Sequence, residues 1–109
     1  MAPVALAAVL TPKSPEKAAR FLEKFQECVD YVQKNERDFV YRYELHRGIK
    51  EQNGREQFVV LEHYKDQASM DKHVAAPPIA AMIQTLEKED LVDAQIIMTN
   101  KGPGITPKL

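Results

Sequence analysis

Four side chains capable of acid–base chemistry occur within twelve residues of one another: Glu62, His63, Tyr64 and His73. A neutral imidazole accepts a proton near neutral pH, a carboxylate can fix the tautomer of a histidine, and a phenol can donate a hydrogen bond to a substrate oxygen. On a strand, Glu62 and Tyr64 point to one face and His63 to the other. These residue types can remove a proton from a bound molecule and stabilise the anion that results.

The segment that carries these groups changes from strand to helix. Residues 57–64 are predicted to form a strand, and Asp66 is a typical N-cap for a helix that runs through Val74. Residues 75–78 read Ala-Ala-Pro-Pro and interrupt this helix, because proline disfavours helical geometry in the residue before it. On the predicted helix His73 lies beside the apolar side chains rather than opposite them.

Strand and helix signals alternate along the rest of the chain. Ser14 is a predicted N-cap, and apolar residues at helical spacing follow it. The other predicted elements are strands over residues 4–10, 39–47 and 91–99, a turn at 52–54, and a further stretch of helix after the prolines. Strict alternation in the second of these strands places Tyr41 and Tyr43 on one face. The order strand, helix, strand, strand, helix, strand is the split βαβ, or ferredoxin-like, plan of an α+β protein with an antiparallel sheet.

Composition excludes several classes of partner. The net charge of −1 would attract neither nucleic acid nor an anionic membrane. The chain of 109 residues can build one core, which we assign to residues 1–100, with an irregular tail over 101–109. No stretch of about 18 apolar residues could span a bilayer, and residues 1–10 lack the basic start of a signal peptide, so we expect a strand there. One cysteine and no metal-ligand spacing indicate a reducing compartment, the cytoplasm, and no metal.

Three predicted strands are apolar on both faces. Residues 4–10, 58–61 and 96–98 carry apolar side chains at consecutive positions, whereas two helices can cover only one face of a four-stranded sheet. The sequence therefore predicts that a second copy covers the other face, sheet against sheet, in a two-fold homodimer. Such a dimer leaves the space between the helices and the sheet of each subunit free for a ligand.

Residues 58–73, which read FVVLEHYKDQASMDKH, resemble the antibiotic biosynthesis monooxygenase family. The likeness is a strand that ends in glutamate, any residue and an aromatic, followed by a helix that closes on histidine. The resemblance implies a dimeric α+β barrel that oxygenates a small hydrophobic, electron-rich metabolite with dioxygen and without metal, flavin or other cofactor. Phenols, quinols and anthrone-like polyketides are the implied substrates. Tyr64 stands where the family often has tryptophan. Haem degradation is disfavoured, because the haem-ligating histidine of the haem-degrading relatives falls near Ile83, and isoleucine cannot bind iron.

The resemblance also implies roles for individual residues. His73 occupies the family-matching position, and we expect it to act as general base or to orient the substrate, with Glu62 and Tyr64 as supporting catalytic candidates. The plainer interpretation of His73 is a structural histidine bonded to a backbone carbonyl or to Glu62, and packing or a dimer contact is the alternative for the other two. The predicted walls of the substrate pocket are Phe21, Phe25, Met70, Met82 and Ile83.

Two other functions fit the same barrel. A binding or stress-response module without turnover predicts an interior filled by side chains, chiefly Phe21, Phe25, Met70 and Met82. An isomerase or cyclase of a small lactone or polyketide needs the same histidine but no oxygen. Dependence on dioxygen separates the second alternative from an oxygenase.

Overall fold

The fold is described by a computed structural model that covers residues 2–106. Seven elements follow one another along the chain: β1 Val4–Pro12, α1 Pro15–Asn35, β2 Val40–Arg47, β3 Phe58–Tyr64, α2 Gln67–Ala75, α3 Pro77–Lys88 and β4 Val92–Thr99. The strands form one antiparallel sheet in the order β2-β3-β1-β4. This arrangement confirms the predicted ferredoxin-like α+β fold, with the second helical region divided in two.

Side-chain caps and a proline set the helix boundaries. The Ser14 hydroxyl and the Asp66 carboxylate each accept a hydrogen bond from the backbone N–H three residues further on, at 3.1 and 2.8 Å. Ala76 is extended, with ψ of 142°, and Pro77 then begins α3. Both caps and the break before the prolines confirm the sequence-based expectations.

The helices pack on one face of the sheet and leave the other face open within a single chain. The buried core joins inward-facing residues of the strands to the helices, and it includes Leu6, Ala8, Leu10, Phe21, Phe25, Phe58, Val60 and Ile79. On the opposite face, which we call the open face, Tyr41 and Ile97 are 48% and 50% exposed. Val9 and Leu61 lie on the same face and are partly buried. The layer of helices therefore covers one of the two apolar faces of the sheet, as the strand pattern predicted.

A β-bulge in β2 overturns one sequence-based assignment. The pairing register shifts between Val40 and Arg42, which leaves Tyr41 as an extra residue in the strand. Tyr43 packs against the core, whereas Tyr41 lies on the open face, where its ring meets that of His63 with centroids 5.6 Å apart. The prediction that the two tyrosines share one face is therefore wrong. Strict alternation assumes one residue per pleat and cannot show an inserted residue.

The connection between β2 and β3 turns where the sequence predicted. Asn53 and Gly54 have left-handed φ angles of 54° and 74°, as in a type I′ turn. The flanking residues Gln52 and Arg55 exchange two backbone hydrogen bonds of 2.9 and 3.0 Å. This tight turn confirms the predicted hairpin.

The segment after β4 carries no helix or strand over residues 101–106. The last part of the predicted tail, residues 107–109, lies outside the described residues, as does Met1. None of the helices found within residues 2–106 combines the length and the apolar character needed to cross a bilayer.

Candidate active site

A cavity of about 200 Å³ lies between the helical layer and the sheet. All five residues predicted as pocket walls line it: Phe21, Phe25, Met70, Met82 and Ile83. These side chains leave the interior open instead of filling it. An apolar cavity of about 150 Å³ holds a molecule the size of benzene, so this one can accept a small ring compound.

The cavity opens to solvent between α2, α3 and β4. Val74, Ile83 and Ile96 line it, one from each of these elements, and are 40%, 42% and 63% exposed. Ile96 is directed towards the helices because it pairs with Ala8, whose side chain is buried on the inner face. This apolar mouth gives a hydrophobic molecule a path to the interior.

Nitrogen and oxygen atoms of side chains are confined to one end of the cavity. Tyr43, Glu62 and His73 are the lining residues that carry them, from β2, β3 and α2. The rings of Tyr43 and His73 meet edge to face with centroids 4.8 Å apart, and Tyr43 pairs with Glu62 across the sheet. The cavity therefore combines apolar walls with one titratable end, as small-molecule sites commonly do.

His73 is held by a buried carboxylate from another helix. Its Nδ1 lies 2.7 Å from Oε1 of Glu36, and the two side chains are 2% and 3% exposed. Glu36 is the C-cap of α1, and its backbone carbonyl accepts hydrogen bonds from Phe39 and Val40 at the start of β2. The carboxylate partner of His73 is therefore Glu36, and not Glu62 as the sequence suggested.

The second ring nitrogen of His73 reaches the cavity. Within residues 2–106 the imidazole makes one hydrogen bond, at Nδ1, so Nε2 has no partner. Every side-chain nitrogen or oxygen of these residues that is fully enclosed does have a partner, so Nε2 is not fully enclosed. Since His73 lines the cavity, Nε2 is in contact with the open space. A carboxylate only accepts hydrogen bonds, so Nδ1 carries a proton, and in the neutral ring Nε2 carries the lone pair. A nitrogen placed in this way can act as a general base.

Glu62 and Tyr64 form a second polar pair at the same end. The Tyr64 hydroxyl donates a hydrogen bond to Oε1 of Glu62. Glu62 lines the cavity, whereas Tyr64 is fully buried behind it, in a cluster with Val32 and Val40. Burial raises the pKa of Glu62, although the hydrogen bond from Tyr64 and the nearby His73 lower it. Burial, followed by the Glu62 carboxylate, also raises the pKa of Tyr64.

Sequence reasoning missed Glu36, which lies in a segment with the composition of a solvated helix end. Residues 34–38 read Lys-Asn-Glu-Arg-Asp and contain four charged side chains. A signal was nevertheless present, because Glu36 follows Val32 by four positions and so extends the apolar stripe of α1. A charged side chain in such a stripe is a candidate for a buried, paired group.

The other two histidines lie away from this end of the cavity, and Cys28 is buried next to Tyr43 without lining the cavity. His46 and His63 are on the open face, and His46 Nε2 lies 3.1 Å from Glu44. Cys28 is fully buried with Sγ 3.4 Å from the Pro78 carbonyl oxygen, and burial raises the pKa of its thiol to about 11. In the stretch from residue 2 to residue 106, no three His, Cys, Asp or Glu side chains come together as a metal site requires.

The fold and the site together define a ferredoxin-like α+β subunit with an imidazole at the edge of an apolar cavity. The sequence model of the family described as antibiotic biosynthesis monooxygenase matches residues 3–85. The chain belongs to this family, which confirms the resemblance carried by residues 58–73. No curated protein matches the chain.

Solved structures share the fold at low sequence identity. Rv0793 from Mycobacterium tuberculosis has a TM-score of 0.76 at 16% identity, with 96% of this chain and 100% of that one covered. PA3566 from Pseudomonas aeruginosa has a TM-score of 0.74 at 17% identity, with 94% and 97% covered. A structure described as antibiotic biosynthesis monooxygenase has a TM-score of 0.71 at 19% identity, with 92% and 99% covered. At these identities the likeness shows a shared fold.

Proposed function

We propose that this protein is a cofactor-independent monooxygenase of a small hydrophobic, electron-rich metabolite, such as a phenol, a quinol, an anthrone-like compound or another secondary metabolite. The observation that carries the proposal is the imidazole of His73, whose Nδ1 is held by Glu36 while Nε2 reaches the polar end of a largely apolar cavity. Membership of the monooxygenase family over residues 3–85 supports the same reaction class. Dioxygen is the second substrate, and the substrate itself supplies the electrons.

The reaction begins with one proton transfer. Nε2 of His73 removes a proton from an acidic O–H or C–H group of the bound substrate, and the anion that forms passes one electron to dioxygen. The substrate radical and superoxide then combine to form a carbon–oxygen bond, and the protonated peroxide loses water to leave a carbonyl group. Two hydrogen atoms of the substrate and one oxygen atom of dioxygen leave as water, and the second oxygen atom stays in the product.

Apolar walls and the Glu62 side chain support this chemistry in different ways. The walls exclude water from the anion and from the peroxide, which limits side reactions. Burial raises the pKa of Glu62, and in its protonated form this carboxyl can donate a hydrogen bond to a developing phenolate while its other oxygen accepts from Tyr64. Tyr64 is a positioning residue in this proposal, because it contacts the substrate only through Glu62.

The proposed active unit is a cytoplasmic homodimer. The open face presents Tyr41, Ile97 and the partly buried Val9 and Leu61, and a second copy of the same face would remove these side chains from water. This pairing would form the α+β barrel that the family resemblance implies. A single free, buried cysteine suits a reducing compartment.

A ligand-binding protein without turnover is the second candidate, although the open cavity differs from the filled interior that this alternative predicts. An isomerase or cyclase would use the same base. Both alternatives differ from the oxygenase in one measurable respect, since neither consumes dioxygen.

Oxygen uptake by metal-stripped protein tests the proposal. Anthrone and quinol substrates are supplied to wild type, to His73→Ala and to Glu89→Gln, which alters an exposed glutamate at the end of α3 as a control. We expect uptake by wild type and the control, and a rate lower by roughly 10²- to 10⁴-fold for His73→Ala, the usual contribution of a general base. No uptake by wild type, or equal rates for wild type and His73→Ala, would refute it.

A further inference from the structure

We infer that Glu36 is a positioning residue of the proposed reaction, which holds His73 in the tautomer whose free nitrogen faces the cavity. The inference rests on the proposed function, because it takes His73 as the proton acceptor. Glu36 is not among the residues that line the cavity, so it acts on a substrate only through the imidazole.

The carboxylate fixes both the orientation and the protonation of the ring. Oε1 of Glu36 lies 2.7 Å from Nδ1 of His73, and only a protonated Nδ1 can donate to it. Tyr43 and Tyr64 limit rotation of the imidazole, with ring centroids 4.8 and 5.3 Å away. In the neutral ring, the one tautomer that satisfies the hydrogen bond leaves Nε2 unprotonated towards the substrate, as second partners of catalytic histidines commonly ensure.

Glu36 is itself anchored through its backbone. Its N–H donates to the carbonyl of Val32 at 2.9 Å, and its own carbonyl accepts from Phe39 and Val40 at 3.1 and 2.8 Å. These bonds fix the corner at which α1 passes into β2. The carboxylate is therefore held towards α2 by a rigid part of the fold, where it meets the positive charge that forms when His73 takes up a proton.

A structural tie between α1 and α2 would not require an ionisable group. A buried carboxylate is costly to remove from water, and a neutral pair of similar shape could join the two elements with less desolvation. The property that a carboxylate has and an amide lacks is its attraction for a protonated imidazole. That attraction stabilises the imidazolium that forms when His73 takes up a proton from the substrate.

Other titratable groups surround the pair and bear on any pH measurement. Those that face the imidazole or its neighbours are Glu62 and Tyr64 of β3, Tyr43 of β2 and Cys28 of α1. Burial raises the pKa of each of the four. The two phenols and the thiol consequently stay protonated from acid to neutral pH, and Glu62 is the one further group in this set that can titrate there.

Nitrogen NMR of the full chain with ¹⁵N-labelled histidine tests the inference directly. At neutral pH we expect His73 of wild type to show a protonated Nδ1 and a bare Nε2, with His46 and His63 as internal references. In Glu36→Gln we expect a mixture of tautomers, because an amide can either accept or donate. Glu89→Gln, which alters an exposed glutamate paired with Arg20 at 3.1 Å, should leave the His73 signals unchanged.

Kinetics of the same variants separate positioning from a merely structural tie. With a quinol substrate, Glu36→Gln should lower kcat by roughly 10- to 100-fold with KM nearly unchanged, because Glu36 acts on the base and not on the bound molecule. The acid limb of its pH profile should move to lower pH, since the protonated imidazole loses a stabilising charge. Glu36→Asp keeps the charge and should recover part of the loss.

Several outcomes would overturn the inference. A protonated Nε2 on His73 in wild type would overturn it, and this measurement does not depend on whether Glu36→Gln folds. In Glu36→Gln, an unchanged tautomer of His73 or an unchanged pH profile of kcat would also overturn it. The NMR readout requires no turnover. A fixed Nδ1–H tautomer that Glu36→Gln disturbs, in a protein that consumes no oxygen, supports the control by Glu36 and counts against the proposed oxygenase.

Discussion

Nδ1 of His73 lies 2.7 Å from Oε1 of Glu36, although the two residues are 37 positions apart in the chain. The bond joins the end of α1 to the last turn of α2, so the position of the imidazole depends on how both helices pack on the sheet. Glu62 and Tyr64 reach the same end of the cavity from β3. A proton acceptor and a hydrogen-bond donor can therefore meet one bound molecule from two sides.

Glu62 should make the stability of the protein depend on pH. Burial raises its pKa above the ordinary value of 4.5, so the folded chain favours the neutral acid. The stability that this preference contributes is complete below the ordinary pKa and is lost as the pH rises through the raised value in the folded protein. The free energy of unfolding should therefore fall less in Glu62→Gln than in wild type between about pH 4 and 8, as measured by urea denaturation.

Glu89→Gln is the control for the Glu62 experiment, because it removes a carboxylate at an exposed position. Glu89 is exposed, and its hydrogen bond to Arg20 lowers its pKa, so Glu89→Gln should retain the fall seen in wild type. Parallel curves for wild type and Glu62→Gln would show that Glu62 is not the group responsible.

Ile97 should contribute to the proposed dimer. It is half exposed on the open face of a single chain, and Ile97→Glu would bury a carboxylate against the second copy. We expect the dissociation constant to rise by more than about 100-fold, which corresponds to a loss of roughly 3 kcal/mol. Sedimentation equilibrium should give twice the chain mass of 12.4 kDa for wild type and a single chain for the variant.

Ile49→Glu is the control for the dimer experiment. Ile49 is 96% exposed in the connection after β2, and a charge there should leave the mass at that of the dimer. A wild-type protein that sediments as a single chain, or an Ile97→Glu variant that associates as tightly as wild type, argues against pairing through the open face.

Cys28 should resist thiol reagents in the folded protein. Its side chain is fully enclosed, and burial raises the pKa of the thiol to about 11, so almost no reactive thiolate is present near pH 8. A disulfide reagent should label the protein only as fast as it unfolds, and at once in urea. Rapid labelling of one thiol per chain without denaturant would contradict the packing described for α1.

Local signals in the sequence determined most of the fold. Ser14 and Asp66 mark helix starts because their side chains satisfy backbone N–H groups, and Pro77 marks a helix boundary because of its ring. Each of these effects acts over a few residues, so each can be read without the rest of the chain. The bulge at Tyr41 could not be predicted in this way, since an inserted residue becomes visible only against the pairing partner on β3.

The candidate site was only partly visible in the sequence. The pattern that begins at Glu62 and ends at His73 indicated where the polar end of the cavity lies. The pairing between Glu36 and His73 depends on how α1 and α2 each pack against the sheet and α3, which no spacing along the chain encodes. Tyr64 was expected to donate to a substrate, and its hydroxyl instead donates to Glu62, two residues away on the same strand face.

In the proposed reaction, His73 starts the oxygenation of a small substrate by removing a proton. This step is tested by mass spectrometry of the products formed under ¹⁸O₂ from anthrone or quinol substrates, with wild type, His73→Ala and Glu89→Gln compared. We expect one ¹⁸O atom in each product molecule for wild type and Glu89→Gln, and a yield lower by roughly 10²- to 10⁴-fold for His73→Ala. Unlabelled product from wild type, or equal labelled yields with and without the imidazole of His73, would contradict it.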